Sequence, residues 1–184
     1  MKDKEIELKF LIKKETKQSI ISDLEKIAQK GKQSHPIDTY YIPNFAEFEK
    51  DGQTMECLRI REQNGKSVLC YKKIHREASP IYCDEYETIV ESKEQMEKVL
   101  FALGFEIQMV IDKVRVSYKY GDFHFDFDSV KNLGDIMEIE IDNNANDNIT
   151  VDKIYNYVKK YGLTQKDVTY DGIQKLMKDA TSKN

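Results

Sequence analysis

Phe123-His124-Phe125-Asp126-Phe127-Asp128 and, one short turn later, Ile136-Met137-Glu138-Ile139-Glu140-Ile141 decide how this chain is read. Both alternate with period two, so residues two apart share a face and the two faces meet different surroundings. Phe125, Phe127, Ile139 and Ile141 fall on one side, and His124, Asp126, Asp128, Glu138 and Glu140 on the other. Turn residues from Asn132 to Asp135 between the two runs predict an antiparallel pair.

The same alternation recurs upstream. Glu5, Glu7 and Lys9 share a face against Ile6, Leu8 and Phe10, and Arg59 and Arg61 share one against Leu58 and Ile60. Cys70 with Lys72, Cys83 with Glu85 and Glu87, and Lys113 with Arg115 repeat the pattern. Strands are predicted over 5–10, 37–42, 56–63, 67–73, 82–90, 109–118, 123–128 and 136–141. Asn64-Gly65 marks a two-residue hairpin, because both central positions of a type I′ turn need positive φ. Helical spacing appears at Ile20, Ile21, Leu24, Ile27 and Ala28 behind a Thr16 cap, and at Met96, Val99, Leu100 and Leu103 behind a Ser92/Gln95 capping box. The tail predicts helices over 151–161 and about 170–178. The order β-α-ββββ-α-βββ-α(α) predicts an α+β fold with a largely antiparallel sheet covered by helices.

At 184 residues, with no linker or repeat, one domain spanning 1–184 is expected. Lys plus Arg number 29 against 33 Asp plus Glu, for a net charge of −4, which argues against a broad basic face for duplex nucleic acid. No apolar run reaches the roughly 18 residues of a membrane span, and residues 1–11 lack a signal-peptide core. Cys57, Cys70 and Cys83 are odd in number and never spaced Cys-x-x-Cys, as befits reduced structural cysteines in a cytoplasmic protein.

The signs of the charges carry the functional information. A solvated sheet face usually mixes residue types, and like charges side by side are unfavourable. Here the faces read Glu-Glu, Arg-Arg, Lys-Arg, Asp-Asp and Glu-Glu. Carboxylate clusters call for a hard divalent cation such as Mg²⁺ or Mn²⁺, and Arg and Lys clusters call for an anion such as phosphate.

Taken together, the motifs resemble those of the CYTH superfamily, the triphosphate tunnel metalloenzymes. Glu5-Ile6-Glu7-Leu8-Lys9 is similar to the family's Glu-x-Glu-x-Lys motif, Asp38-Thr39-Tyr40-Tyr41 to its Asp-x-Tyr-Tyr strand, and Leu58-Arg59-Ile60-Arg61 to its Leu-Arg-x-Arg strand. Leu69-Cys70-Tyr71-Lys72, Glu85-Tyr86-Glu87, Lys113-Val114-Arg115, Phe125-Asp126-Phe127-Asp128 and Leu133 through Glu140 follow in the family's order, and Thr169-Tyr170 is similar to its Ser-Tyr helix. One departure is Cys83, where the family often has Arg; Arg76 or Lys73 could supply the missing phosphate contact.

The resemblance implies an eight-stranded antiparallel barrel, open at both ends, with the charged faces lining a tunnel and helices outside. It implies metal carboxylates at Glu5, Glu7, Asp126, Glu138 and Glu140, holding Mg²⁺ or Mn²⁺. Lys9, Arg59, Arg61, Lys72, Lys113 and Arg115 are implied as phosphate grips, and Lys9, Asp126, Glu85 and Glu87 as the catalytic group, the two glutamates equally suited to orienting the basic residues. His124 shares the tunnel face. A triphosphatase acting on tripolyphosphate, thiamine triphosphate or a nucleoside triphosphate is the first expectation. A class IV adenylyl cyclase is the alternative, and a non-catalytic polyphosphate- or nucleotide-binding module the third reading. The expected partner is a small triphosphate, with no duplex nucleic acid or membrane, and the protein is expected to be a monomer or homodimer.

Overall fold

The computed structural model describes the backbone of residues 4–141 and 147–182 and the side chains of 6–141 and 151–182. Among these residues, eight strands of six or more residues carry the alternation. They are β1 (Glu7–Ile12), β2 (Ile37–Pro43), β3 (Glu56–Gln63), β4 (Lys66–His75), β5 (Tyr82–Val90), β6 (Phe105–Tyr120), β7 (Phe123–Val130) and β8 (Gly134–Ile141). Neighbours pair antiparallel in the order β5-β4-β3-β2-β6-β7-β8-β1. A two-residue strand, Lys4–Glu5, lies one residue before β1 and pairs with β5. The N-terminal run therefore touches both ends of the order and bends the sheet into a barrel-like wrap. At the β3–β4 hairpin Asn64 has φ 52° and Gly65 φ 73°, as the Asn-Gly pair requires.

Four helices complete the described fold: α1 (Lys14–Ile27), α2 (Lys93–Ala102), α3 (Asp147–Val158) and α4 (Ile173–Thr181). Ser92 caps α2, its hydroxyl accepting from the Gln95 N–H at 3.3 Å. Thr16 does not cap α1. That helix begins two residues earlier, behind Lys13, which makes no side-chain cap, because β1 runs to Ile12 and leaves only one residue between strand and helix.

The apolar faces of the strands point outward, toward the helices. Leu8, Phe10, Phe125, Phe127, Met137 and Ile139 pack with Ile20 and Leu24 of α1 and with Ile154 and Val158 of α3. On the other side Tyr41, Leu58 and Ile60 pack with Leu100 and Met96 of α2. Each such buried side chain contributes about 1.5–3 kcal/mol of transfer free energy, so the fold is held by its outside and leaves the inward faces to the charges.

The inward faces are not charged along their whole length. Toward one end they become apolar, and Tyr40, Ile111, Val130 and Ile136 form a buried cluster there with Ile173, Leu176 and Met177 of α4. A barrel open at both ends is thus corrected: α4 packs over this end, because residues with no water-facing role need a partner surface.

Candidate functional site

The inward faces enclose a cavity of about 540 Å³, within the range of sites that hold whole organic ligands. Its lining includes Glu7 and Lys9 of β1, Arg59 and Arg61 of β3, Lys72 of β4, Glu85 and Glu87 of β5, Arg115 of β6, His124 and Asp126 of β7, and Glu138 and Glu140 of β8. Those residues lie up to 133 positions apart in sequence, counting from Glu7 to Glu140. Strand register brings them together. Glu138 faces Lys9 and Glu140 faces Glu7 across β8–β1, while Asp126 faces Glu138 and His124 faces Glu140 across β7–β8.

The charges form a closed circuit of alternating sign. Asp38 lies 3.4 Å from the Lys113 ammonium, and Lys113 donates to Asp128 at 2.7 Å. Arg115 Nε donates to Asp128 at 2.6 Å, and its Nη2 to Glu138 at 2.7 Å. Lys9 lies 3.3 Å from Glu138 and donates to Glu7 at 2.9 Å. Lys72 then joins Glu7 at 3.8 Å to Glu85 at 3.0 Å, and Arg59 joins Glu85 at 4.0 Å back to Asp38 at 3.7 Å. Five acids and five bases make this ring, and each of the eight strands contributes. Arg61 adds a bidentate pair with Asp38, at 2.7 and 2.9 Å, and Asp126 accepts from Arg115 and from the Ser117 hydroxyl.

Alternation makes this much buried charge tolerable, since each ion is desolvated beside a counter-charge. Burial works against the Lys9 ammonium, but Glu7 and Glu138 outweigh it and hold its pKa above the ordinary lysine range. Burial likewise opposes the Glu138 carboxylate, yet Lys9 and Arg115 hold it well below its ordinary value. Lys113 goes the other way: burial, with Arg115 beside it, pushes its pKa down against the pull of Asp128 and Asp38.

The ring is tight along β6–β7–β8 and loose around Arg59, whose two links run to 3.7 and 4.0 Å. The Arg59 Nε–H is buried and has no hydrogen-bond partner among the described residues. A buried guanidinium donor left unpaired is costly, and in the wall of this cavity it is a place for an anion's oxygen.

Lys113 is not part of the lining. Its side chain is 1% exposed, held behind the wall by Asp128 and Asp38, so the direct phosphate contact expected of it is corrected to support of the ring. The side chain of Glu5 lies outside the described residues; its backbone pairs with Cys83. Arg76 does not stand in for an Arg at position 83. It donates to the carbonyls of Thr54 at 2.9 Å and Tyr170 at 3.1 Å and to Asp171 at 2.7 Å, tying the C-terminal segment to the barrel, and neither it nor Lys73 lines the cavity.

The carboxylates of Glu7, Asp126, Glu138 and Glu140 share the cavity wall, and Glu7 and Glu140 face each other directly. Like charges so placed repel, and carboxylate oxygens are the donors a hard divalent cation takes, although among the described residues no three of these four bring ligand atoms within 4.8 Å of one another. A second acidic group is tighter: among the described residues, ligand atoms of Cys70, Glu85 and Glu87 lie within 4.8 Å of one another. Burial and, against the Arg59 charge, the neighbouring Glu85 push the Cys70 thiol up, and its sulfur lies 3.1 Å from the Glu85 carboxylate as a hydrogen-bond donor. A protonated thiol is a poor ligand for a hard ion, so only the two glutamates of this trio suit one.

Sequence reading missed Asp38 and Asp128 as members of the circuit, although both stand on inward-facing positions of motifs it quoted. It also missed the uncharged part of the wall: Thr54, Cys57, Ile74, Ile81 and Tyr82, with Thr169, Tyr170, Gly172, Ile173 and Gln174 from the C-terminal segment.

The sequence profile of the CYTH domain matches residues 3–170. The chain belongs to the CYTH family. A Methanocaldococcus jannaschii protein named as a candidate adenylate cyclase is 30% identical over 136 residues, 73% of this chain and 76% of that protein. The PH1012 protein of Pyrococcus horikoshii superposes with a TM-score of 0.78 at 27% identity, over 94% of this chain and 99% of its own. A Hippeastrum protein, described as a candidate adenylyl cyclase with a dominant triphosphatase activity, shares the fold with a TM-score of 0.69 over 96% of this chain and 95% of its own, at 14% identity. Among the described residues no helix is long and apolar enough to cross a membrane.

Proposed function

We propose that this CYTH domain, one domain over 1–184, is a metal-dependent triphosphatase that removes the terminal phosphate of a triphosphate held in the cavity. The observation that carries the reading is the buried Arg59 Nε–H, which has no hydrogen-bond partner among the described residues and whose ring contacts are long, within a lining that also offers Lys9, Arg61, Lys72 and Arg115. An anion's oxygens would complete that part of the ring. Glu7, Glu138 and Glu140, with Asp126 and with Glu5 by its place in the motif, would hold Mg²⁺ or Mn²⁺. When bound, such an ion supplies positive charge to the phosphate oxygens.

The protein's own groups do the rest. Arg59, Arg61 and Lys72 bind the phosphate chain, and Lys9 and Arg115, anchored by Glu7, Glu138 and Asp128, keep their geometry while charge redistributes. Glu85 and Glu87 orient a water in line with the terminal phosphorus. Its oxygen forms the new P–O bond, the bond to the bridging oxygen breaks, and the water's proton passes to a lining carboxylate. A cytoplasmic monomer or homodimer, acting on a small triphosphate and on neither duplex nucleic acid nor membrane, fits this reading.

A second reading is favoured by the name of the Methanocaldococcus relative: an adenylyl cyclase would use the same grips, with the ribose 3′ oxygen attacking the α-phosphorus and pyrophosphate leaving. The test is a substrate panel with Mg²⁺ and Mn²⁺ in which orthophosphate, pyrophosphate and cyclic AMP are measured separately. Orthophosphate from tripolyphosphate is the expected result. Equal amounts of cyclic AMP and pyrophosphate from ATP, with tripolyphosphate left intact, would reverse the assignment.

A further inference from the structure

Beyond the charge ring the cavity has a second compartment of different chemistry. One inward position past Lys72 on β4 is Ile74, which faces Cys83 across β5, and one inward position before Arg59 on β3 is Cys57. Tyr82 completes that side of the wall, and α4 covers the end. Phosphate has no use for such a wall.

Gln174 brings an unsatisfied polar group to this end. Its side chain lines the cavity, the residue is 4% exposed, and its amide oxygen Oε1 is buried with no hydrogen-bond partner among the described residues. A buried amide acceptor left unsatisfied is costly, and in native folds it usually has an explanation. Gly172 makes room for it: a Cβ at position 172 would lie 2.3 Å from Oε1 and 2.6 Å from Nε2 of Gln174. The backbone around Gly172 is of ordinary φ, −65°, so the requirement is for space alone.

Resting on the triphosphate reading of the same cavity, we infer that Gln174 is a specificity-determining residue: it accepts a hydrogen bond from an amino group on a heteroaromatic ring carried by the triphosphate, with that ring seated against Ile74 and Tyr82. The preferred substrate class is then an amino-heteroaryl triphosphate, of which ATP is the simplest probe, with the bare inorganic chain held by the charge ring alone. The phosphates reach the ring of charges and the head group stays at the end covered by α4. This placement holds whichever phosphorus is attacked.

The test is equilibrium binding, which does not depend on turnover. Calorimetry on the full chain with Mg²⁺ compares the β,γ-methylene analogue of ATP, its counterpart lacking the 6-amino group, and tripolyphosphate. A neutral hydrogen bond made to a buried acceptor predicts that the wild type prefers the amino compound by about threefold to tenfold. In Gln174→Leu, which keeps the volume and removes the acceptor, that preference falls to about one. Gly172→Ala, whose Cβ displaces the amide, lowers it as well. Tripolyphosphate binding by both variants reports that the cavity is still formed. Equal dissociation constants in the wild type, no binding of either nucleotide, or an equal weakening of all three ligands in Gln174→Leu would overturn the inference. The triphosphatase reading fails separately, on the absence of orthophosphate.

Discussion

Asp38 is fully buried and serves three bases at once, so its replacement by Asn is the most direct measure of what the charge ring contributes. The substitution keeps shape and removes one negative charge from beside Arg61 at 2.7 and 2.9 Å, Lys113 at 3.4 Å and Arg59 at 3.7 Å. Lys113 is 1% exposed and among the described residues keeps Asp128 as its one remaining ion pair, with Glu138 acting at longer range. Breaking a buried pair by removing one partner costs about 3–5 kcal/mol, because the other charge stays buried. For a chain of this size each kcal/mol moves the unfolding midpoint by about 2–4 °C, so Asp38→Asn should lower it by roughly 10 °C. The pH dependence has a definite sign. Burial would raise the Asp38 pKa, but Arg61, Arg59 and Lys113 outweigh it and hold the folded value below the ordinary 3.8. A depressed carboxylate contributes stability that is fully present above its unfolded pKa and lost as pH falls through the folded one. The gap between wild type and Asp38→Asn should therefore be constant from pH 8 to about 5 and narrow below about 4. Urea unfolding across that range measures it. A gap under about 1 kcal/mol at pH 7, or one that widens on acidification, would refute the reasoning.

Glu7→Gln and Glu138→Gln should each abolish turnover while the protein stays folded, and excess chelator should do the same to the wild type; full activity in chelator would sink the metal assignment. Arg59→Ala should weaken triphosphate binding by about tenfold or more while leaving the unfolding midpoint within a few degrees, since its ring contacts are long; unchanged affinity removes the loose-arc argument. Arg115→Ala should destabilise strongly by comparison, because Arg115 holds Asp126, Asp128 and Glu138 together, and a midpoint equal to that of Arg59→Ala would contradict the ring. Arg76→Met, which releases Thr54, Tyr170 and Asp171, should raise KM for an organic triphosphate more than for tripolyphosphate, and equal changes for both would count against a positioning role.

Much of this was legible because an alternating strand states both of its faces. The eight strands, the Asn64-Gly65 turn and the Ser92 cap each rest on residues within a few positions of one another, and so local physics determined them. Which charge meets which is a matter of register. Glu7 opposite Glu140, or Asp38 within reach of Lys113, cannot be read until the strands are aligned, and period alone could not tell that Lys113 lies behind the wall while Arg115, two residues on, lines the cavity. The C-terminal end was least legible. Arg76 reaches a carbonyl 94 residues away, and Ile173, Gln174, Leu176 and Met177 read as an ordinary amphipathic helix until the apolar end of the barrel they cover is known.

The charge balance of the cavity limits how it can work. Among the described residues six carboxylates line it, Glu7, Glu85, Glu87, Asp126, Glu138 and Glu140, against five permanent cations, Lys9, Arg59, Arg61, Lys72 and Arg115. Before any ligand enters, the wall is therefore close to neutral and slightly acidic, and four of those carboxylates are committed to the bases as ring members or as a partner of Arg115. A triphosphate brings several further negative charges into this space, and the five bases cannot offset them without giving up the partners that make their own burial tolerable. Added positive charge is needed. It must arrive with the phosphate and sit among carboxylate oxygens, which is the coordination a hard divalent cation takes. On the proposed reading the acidic residues do not oppose anion binding: they set the condition that the anion enters with its metal, and affinity for metal-free triphosphate should be far weaker than for its Mg²⁺ or Mn²⁺ complex, which calorimetry with and without the metal measures.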